Sequence, residues 1–190
     1  MIWDDWRRDP DAALGGDVYA LTIITAIRRG CEAELCDHLA SLDPEASPFR
    51  RLAGTHFARL VVLDTLAGRS GDPHQRLLFS AVIDGCSKAD RDAFLTQMCT
   101  RMPEHVDAIW GRCRNPGRGL SQVPETFAQW MAAHQVRTQA FYFMDAAPVP
   151  RIKQALRVHP QVRRFALRTQ YLTPQALRDE VSARSKVWRA

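Results

Sequence analysis

The sequence lacks the features that mark a membrane or secreted protein. No stretch reaches the roughly 18 to 20 apolar residues that a membrane-spanning helix needs. Residues 1–16 contain no apolar segment of the kind found in secretory signals. These absences predict a soluble, cytoplasmic protein that does not bind a membrane.

Cysteine is scarce and poorly spaced for bridges or metal ligation. The five cysteines form no Cys-x-x-Cys pair, and an odd number without a signal peptide is typical of reduced thiols. Structural zinc uses close ligand pairs, whereas Cys31, Cys36 and His38 lack the usual spacing and a second half-site. We therefore expect no disulfide and no metal site.

Common catalytic motifs are also missing. The chain contains no GxSxG, GxGxxG, P-loop or HExxH motif, so serine-elbow, P-loop and zincin chemistry have no support. The composition, with 46% hydrophobic and 25% charged residues, is ordinary for a folded protein. At 190 residues the chain is long enough to bury one full core.

The residue pattern predicts strands that alternate with helices. Segments rich in β-branched and aromatic residues predict strands, and apolar residues at helical spacing, opened by Ser87 or by prolines, predict helices. The predicted strands are 18–27, 56–64, 76–84 and 138–145. Their order with the helices is strand, helix, strand, strand, helices, strand, helices, which is that of a ferredoxin-like βαββαβ sheet.

We therefore expect an α+β fold with additional helices in its second half. Residues 1–17 form an N-terminal extension, residues 18–147 the ferredoxin-like core, and residues 148–190 basic helices packed on the same domain. Both alternating faces of the predicted strands are apolar, although a sheet with helices on one side normally has a polar second face. A partner subunit's sheet, the C-terminal helices or a bound apolar ligand would each cover that face.

Three polar residues on the predicted strands are candidate catalytic residues: His56, Arg59 and Asp84. Strand alternation places His56 and Arg59 on opposite faces unless the strand is bulged. His56 suits acid–base chemistry or axial haem ligation, and the alternative is a structural histidine that is hydrogen-bonded to backbone at the strand entrance. Arg59, as an internal arginine, needs an anion, which is a ligand carboxylate, Asp64 or Asp84. The alternative for Asp84, followed by Gly85, is a residue of the turn that ends its strand. An apolar or anionic small molecule is the expected ligand.

Positive charge is concentrated late in the chain, where ten of the 26 Lys and Arg residues follow position 150. Such a basic end can attract acidic proteins, nucleic acid or anionic ligands, and the alternative is a solvated helix face. The aromatic strand predicted at 138–145 lacks the basic and glycine positions of RNA-binding sheets of this kind, which argues against nucleic acid.

Segments 54–64, 78–85 and 109–113 resemble uncharacterised bacterial proteins of the ferredoxin-like, dimeric α+β barrel type. That superfamily includes dye-decolorising peroxidases, chlorite dismutases and small haem-degrading monooxygenases. The resemblance implies an apolar pocket between sheet and helices, haem as the cofactor, and a homodimer. In the Gly-x-x-Asp-Gly motif of the peroxidases, this chain keeps Asp84 and Gly85 but has Ala81 in place of the first glycine. His134 and His159 match the proximal histidine only by lying later in the chain.

These observations lead to two hypotheses. In the first, the chain is a small-molecule enzyme or a haem-dependent oxidoreductase with a pocket on the covered sheet face. In the second, it is a non-catalytic homodimeric interaction module whose basic C-terminal helices contact an acidic partner.

Overall fold

The computed structural model describes residues 17–43, 45–63, 75–114, 119–138, 141 and 147–189, with side chains described as far as residue 184. Within these residues the fold is α+β, with a three-stranded antiparallel sheet and six α-helices. The strands are β1 (Val18–Ala26), β2 (Thr55–Leu63) and β3 (Arg76–Asp84). The helices are α1 (Glu32–Ala40), α2 (Lys88–Arg101), α3 (Pro103–Trp110), α4 (Pro124–Ala133), α5 (Val149–Thr169) and α6 (Pro174–Arg189). The chain divides into two compact units, 1–149 and 150–190.

The sheet has the strand order β1-β3-β2, with both neighbouring pairs antiparallel. Three of the four predicted strands are confirmed to within a residue at each end. On the free edge of β1, Ile23 forms an isolated antiparallel bridge with Gln135, and the N–H of Val136 donates to the carbonyl of Thr22 at 2.8 Å. The fourth predicted strand, 138–145, lies mostly outside the described residues.

One face of the sheet forms the core of the first unit together with the helices. Phe79 of β3 lies near its centre, stacked on Phe49 at 5.6 Å between ring centroids and edge-on to Trp110 at 5.4 Å. Trp110 in turn meets Phe127 edge-on at 5.6 Å. Such aromatic pairs stabilise by about 0.5–1.5 kcal/mol beyond their burial. The apolar stripes predicted for α2, α3 and α4 supply buried residues of this core, including Phe94, Leu95, Met98, Val106, Ile109 and Met131.

The opposite face of the sheet is organised in cross-strand rows. The strand registers place a polar row between two apolar ones. The polar row is Thr22, Ser80 and Arg59, and the apolar rows are Ala20, Val82 and Phe57 on one side and Ile24, Leu78 and Val61 on the other. This face is partly exposed, with Phe57 at 48%. The second face is thus less uniformly apolar than the sequence predicts.

The second unit contains the two basic helices. α6 begins at Pro174, and α5 contains Pro160 in its interior. Proline has no N–H to donate within a helix, so this position omits one helical hydrogen bond. Among the described helices, none combines the length and the apolar character needed to cross a bilayer.

Candidate functional site

A histidine–aspartate pair lies where β2 begins beside the end of β3. Thr55 pairs with Ile83 and Phe57 pairs with Val82, so His56 is an extra residue at a shift of register. Such a bulge interrupts the alternation of side chains along a strand. His56 therefore need not lie on the sheet face that strict alternation predicts for it. Its Nε2 donates to Oδ1 of Asp84 at 2.8 Å, and only 6% of the His56 side chain is exposed.

The Asp84 carboxylate also accepts a hydrogen bond from a backbone amide. The backbone N–H of Val149 lies 2.9 Å from Oδ1 and 3.2 Å from Oδ2. The backbone of Asp84 is itself fixed, because its N–H donates to the carbonyl of Gly54 at 2.7 Å. The imidazole and the amide therefore hold the carboxylate inside the first unit.

Gly54 makes room for this arrangement. Its φ of +77° is a conformation that residues with a Cβ rarely adopt, and a Cβ there would lie 2.9 Å from Oδ2 of Asp84. The site therefore needs glycine for two reasons, its backbone conformation and the closeness of the carboxylate.

The structure does not bring Arg59 to this pair. Arg59 is exposed and lies opposite Ser80, four residues before Asp84 on β3, a separation of about 13 Å along the strand. The expectation that Arg59 is internal is therefore corrected: it is exposed and lies on the edge strand, on the partly open face. Asp64, its other proposed partner, lies outside the described residues.

The histidines differ in how well they suit haem. Nε2 of His56 is engaged by Asp84, so an iron at that nitrogen would have to displace the carboxylate. His56 as placed does not fit the role of axial ligand. His134 is better arranged, because its Nδ1 lies 2.8 Å from the carbonyl of Trp130, and a ligating histidine usually donates its second N–H in this way. His159 is an exposed residue of α5.

The buried cysteines are protonated thiols. Sγ of Cys113 lies 3.2 Å from Oγ1 of Thr25, and burial raises the pKa of Cys113 to about 11. Burial likewise raises the pKa of Cys99 to about 11. Neither supplies a thiolate at neutral pH. In the part of the chain that the structure describes, no group of three or more His, Cys, Asp or Glu side chains is placed to hold a metal ion.

A polar cluster between α1 and α3 was not apparent from the sequence. The rings of His38 and His105 lie 6.1 Å apart, and Nε of Arg112 lies 3.4 Å from Oε2 of Glu34. Burial, then the charges of Arg112 and His105, lower the pKa of His38. No motif signals this cluster, because its members come together only through helix packing.

The second unit carries an open groove between α5 and α6. Gln161, Arg164, Phe165 and Arg168 line it at positions i, i+3, i+4 and i+7 of α5, so they share one helix face. Leu167 and, from α6, Glu180, Ala183 and Arg184 complete the lining of a concavity of about 970 Å³. The sequence showed the excess of arginine but not that it would line a groove with an aromatic residue.

One arginine of the groove is held in place by two neighbours. Nε of Arg184 lies 3.2 Å from Oε2 of Glu180, one helical turn away. Its guanidinium also lies over the ring of Phe165, 5.6 Å from the centroid, which is within the range of a cation–π contact. By contrast, Arg164 and Arg168 have no carboxylate partner among the residues that the structure describes.

The two units carry opposite formal charges. Residues 150–190 contain ten Lys and Arg and two Asp and Glu, a net of +8, and the whole chain carries +5. Residues 1–149 therefore carry a net of −3 by difference. The basic excess of the protein belongs entirely to the second unit.

No protein-family model matches the chain, and comparisons with curated proteins and with solved structures likewise give no match.

Proposed function

We propose that the protein is a non-catalytic interaction module whose basic C-terminal helices bind an acidic partner in the cytoplasm. The observation that carries the proposal is the groove of the second unit, where arginines line an open surface in a segment of charge +8. Clustered charge of one sign attracts and orients partners of the other sign. Cys36 and Cys86, which are exposed and unpaired, suit a reducing compartment.

A salt-elution experiment tests this proposal. The full chain is loaded on immobilised poly-L-glutamate and eluted with salt, beside a variant with Arg157, Arg164, Arg168 and Arg178 changed to Gln. We expect the variant to elute at clearly lower salt, because it forms fewer ion pairs with the polyglutamate and less salt is needed to screen them.

A matched control removes the same charge from the first unit, by changing Arg29, Lys88, Arg101 and Arg114 to Gln, all of them exposed. It should elute close to the unmodified chain. Equal elution of the two variants, or no retention of the unmodified chain, would overturn the proposal.

The proposal includes a ferredoxin-like sheet and a homodimer. The order β1-β3-β2 and the bridge between Ile23 and Gln135 on the free edge of β1 support the first, because the fourth strand of such a sheet pairs at that edge. The apolar rows on the second face support the second, since an apolar sheet face is normally covered. A dimeric α+β barrel would pair these faces from two subunits.

A small-molecule enzyme, in its haem form an oxidoreductase, is the second candidate function. The hydrogen bond between His56 and Asp84 favours it, because a carboxylate that orients an imidazole is a common device for acid–base chemistry. Titration with haemin tests the haem form: a Soret band that weakens in His134→Ala supports it. If no Soret band of bound haem develops when the protein is titrated with haemin, the haem form is ruled out.

A further inference from the structure

We infer that the acidic partner binds the second unit as an amphipathic helix, with apolar side chains and carboxylates on neighbouring stripes. This inference rests on the proposed function, since it names the kind of acidic partner. It follows from the apolar surface beside the groove, from the spacing of the arginines, and from the fixed position of Arg184.

Aliphatic side chains are exposed in and beside the groove. Leu167 lines the groove and is 59% exposed. On α6, Leu177 and Val181 are exposed at 36% and 40%. A polyanion such as nucleic acid is bound mainly through cations, hydrogen bonds and stacking rings. Exposed leucine and valine among arginines instead match the apolar anchors of a protein segment.

The spacing of these residues is that of a helix-binding surface. Leu177, Val181 and Arg184 stand at i, i+4 and i+7 of α6, so they share one stripe that joins apolar and basic groups. On α5, Arg164 and Arg168 stand one turn apart, about 6 Å along the axis. Carboxylates at i and i+4 of a partner helix have the same separation. Two turns of such a helix therefore meet both arginines in register.

Arg184 is prepared for a carboxylate before the partner arrives. Glu180 engages only its Nε, and Phe165 supports the plane of the guanidinium. Its terminal nitrogens have no hydrogen-bond partner in the described part of the chain. Arginine binds carboxylates best through such parallel N–H donors, and a side chain that is already ordered loses little entropy on binding.

Peptide probes of about three heptads test the inference by fluorescence anisotropy on the full chain, at about 0.15 M salt. The first probe carries Leu at the a and d positions and Glu on the flanking stripes. The second replaces each Leu by Ser, and the third replaces each Glu by Gln. We expect the first to bind at least about tenfold more tightly than the other two. A single-stranded oligonucleotide is titrated in parallel.

Three variants locate the binding surface. Arg164→Gln with Arg168→Gln, and Leu167→Ser with Leu177→Ser, should each weaken binding of the first probe by about tenfold. Arg151→Gln with Lys153→Gln removes two exposed charges from α5 outside the groove and should leave the affinity within about twofold. Circular dichroism checks that all three variants retain their helices.

The outcomes separate this inference from the proposed function. If the Ser-substituted acidic probe binds as tightly as the first, or the leucine variant keeps full affinity, the helix inference fails while the acidic-partner proposal stands. Tighter binding of the oligonucleotide than of any peptide also overturns the inference, in favour of nucleic acid. If no anionic probe binds in a salt-dependent way, both fail.

Discussion

Asp84 illustrates how much of the first unit depends on a single side chain. Its carboxylate accepts from the imidazole of His56 and from the amide of Val149, and its backbone donates to Gly54. A hydrogen bond contributes little by itself, but a buried donor that loses its acceptor is destabilising by about 1–3 kcal/mol. Removing this carboxylate leaves two donors without their partner.

Asp84→Ala should therefore lower the free energy of unfolding by about 2–4 kcal/mol. Urea denaturation near neutral pH measures this change. Asp92→Ala, which removes an exposed carboxylate paired with Arg91, serves as the control and should change stability by less than about 0.5 kcal/mol. Equal effects of the two substitutions would show that the Asp84 contacts contribute little.

The buried thiol of Cys113 gives a pH dependence on the alkaline side. Its pKa is raised from the ordinary 9.0 to about 11, so the folded state favours the neutral thiol. Its contribution to stability is complete below pH 9.0 and is lost as the pH rises toward 11, because the unfolded thiol ionises first. Between pH 8 and 10, ionisation of the Cys113 thiol in the unfolded state should lower the free energy of unfolding by about 1 kcal/mol.

Urea denaturation of the unmodified chain and of Cys113→Ala at pH 8 and pH 10 isolates the contribution of this thiol to the pH dependence of stability. The variant is less stable at both, but its stability should fall less between them. Alkylation followed by mass spectrometry adds a second readout, since Cys36 and Cys86 are exposed and should react in the native state, well before Cys113. Rapid native labelling of Cys113 would contradict the assignment.

At the scale of elements, α2 has the best-defined start. The Ser87 hydroxyl accepts from the N–H of Asp90 at 3.3 Å, and the Asp90 carboxylate accepts from the N–H of Ser87 at 3.0 Å. The two hydrogen bonds form a capping box, and the helix starts at the serine that the sequence predicts to open it. The hydrogen bond from Ser87, followed by that from the backbone of Cys86, lowers the pKa of Asp90.

Ser87→Ala should lower the free energy of unfolding by about 1 kcal/mol near neutral pH. The contribution of Asp90 is present above its ordinary pKa of 3.8 and is lost as the pH falls, so the difference between variant and unmodified chain should shrink in acid. Denaturation at near-neutral and acid pH measures both effects. Thr100→Ala, which removes an exposed hydroxyl at the end of the same helix, should change little.

Elements with strong local signals could be predicted, and the site only in part. The strands around Ile23, Val61 and Phe79 and the helices opened by Ser87, Pro103 and Pro124 follow from β-branched runs, caps and apolar spacing. The contact between His56 and Asp84 depends on a bulge, and the alternation of residues along a strand does not reveal a bulge. The groove residues of α5 and α6 come together through tertiary packing, so no local pattern showed Arg184 over Phe165.

At the scale of the whole molecule, the proposed homodimer depends on the second face of the sheet. Phe57 stands at one end of an apolar row with Val82 and Ala20, and Val61 at one end of the other. A homodimer that pairs these faces would exclude water from both apolar rows. The polar row with Arg59 then lies between them, and must find partners across the interface.

Phe57→Asp should convert the proposed dimer to a monomer, because it places a charge in an apolar contact. Sedimentation velocity measures the molecular mass of both proteins. Gln97→Asp adds the same charge to an exposed position of α2 and should leave the mass unchanged. An unmodified chain that sediments as a monomer at micromolar concentration would rule out the dimer.

The close approach of Gly54 to Asp84 also constrains how this sequence can diverge. A side chain at position 54 would meet the carboxylate at 2.9 Å, so a replacement there becomes tolerable only with a smaller residue at 84 and a different backbone turn. The two positions should therefore vary together among descendants of a common ancestor, and His56 with them. A Gly-x-His at the start of one strand, paired with Asp-Gly at the end of the next, is thus a signature by which distant relatives can be recognised.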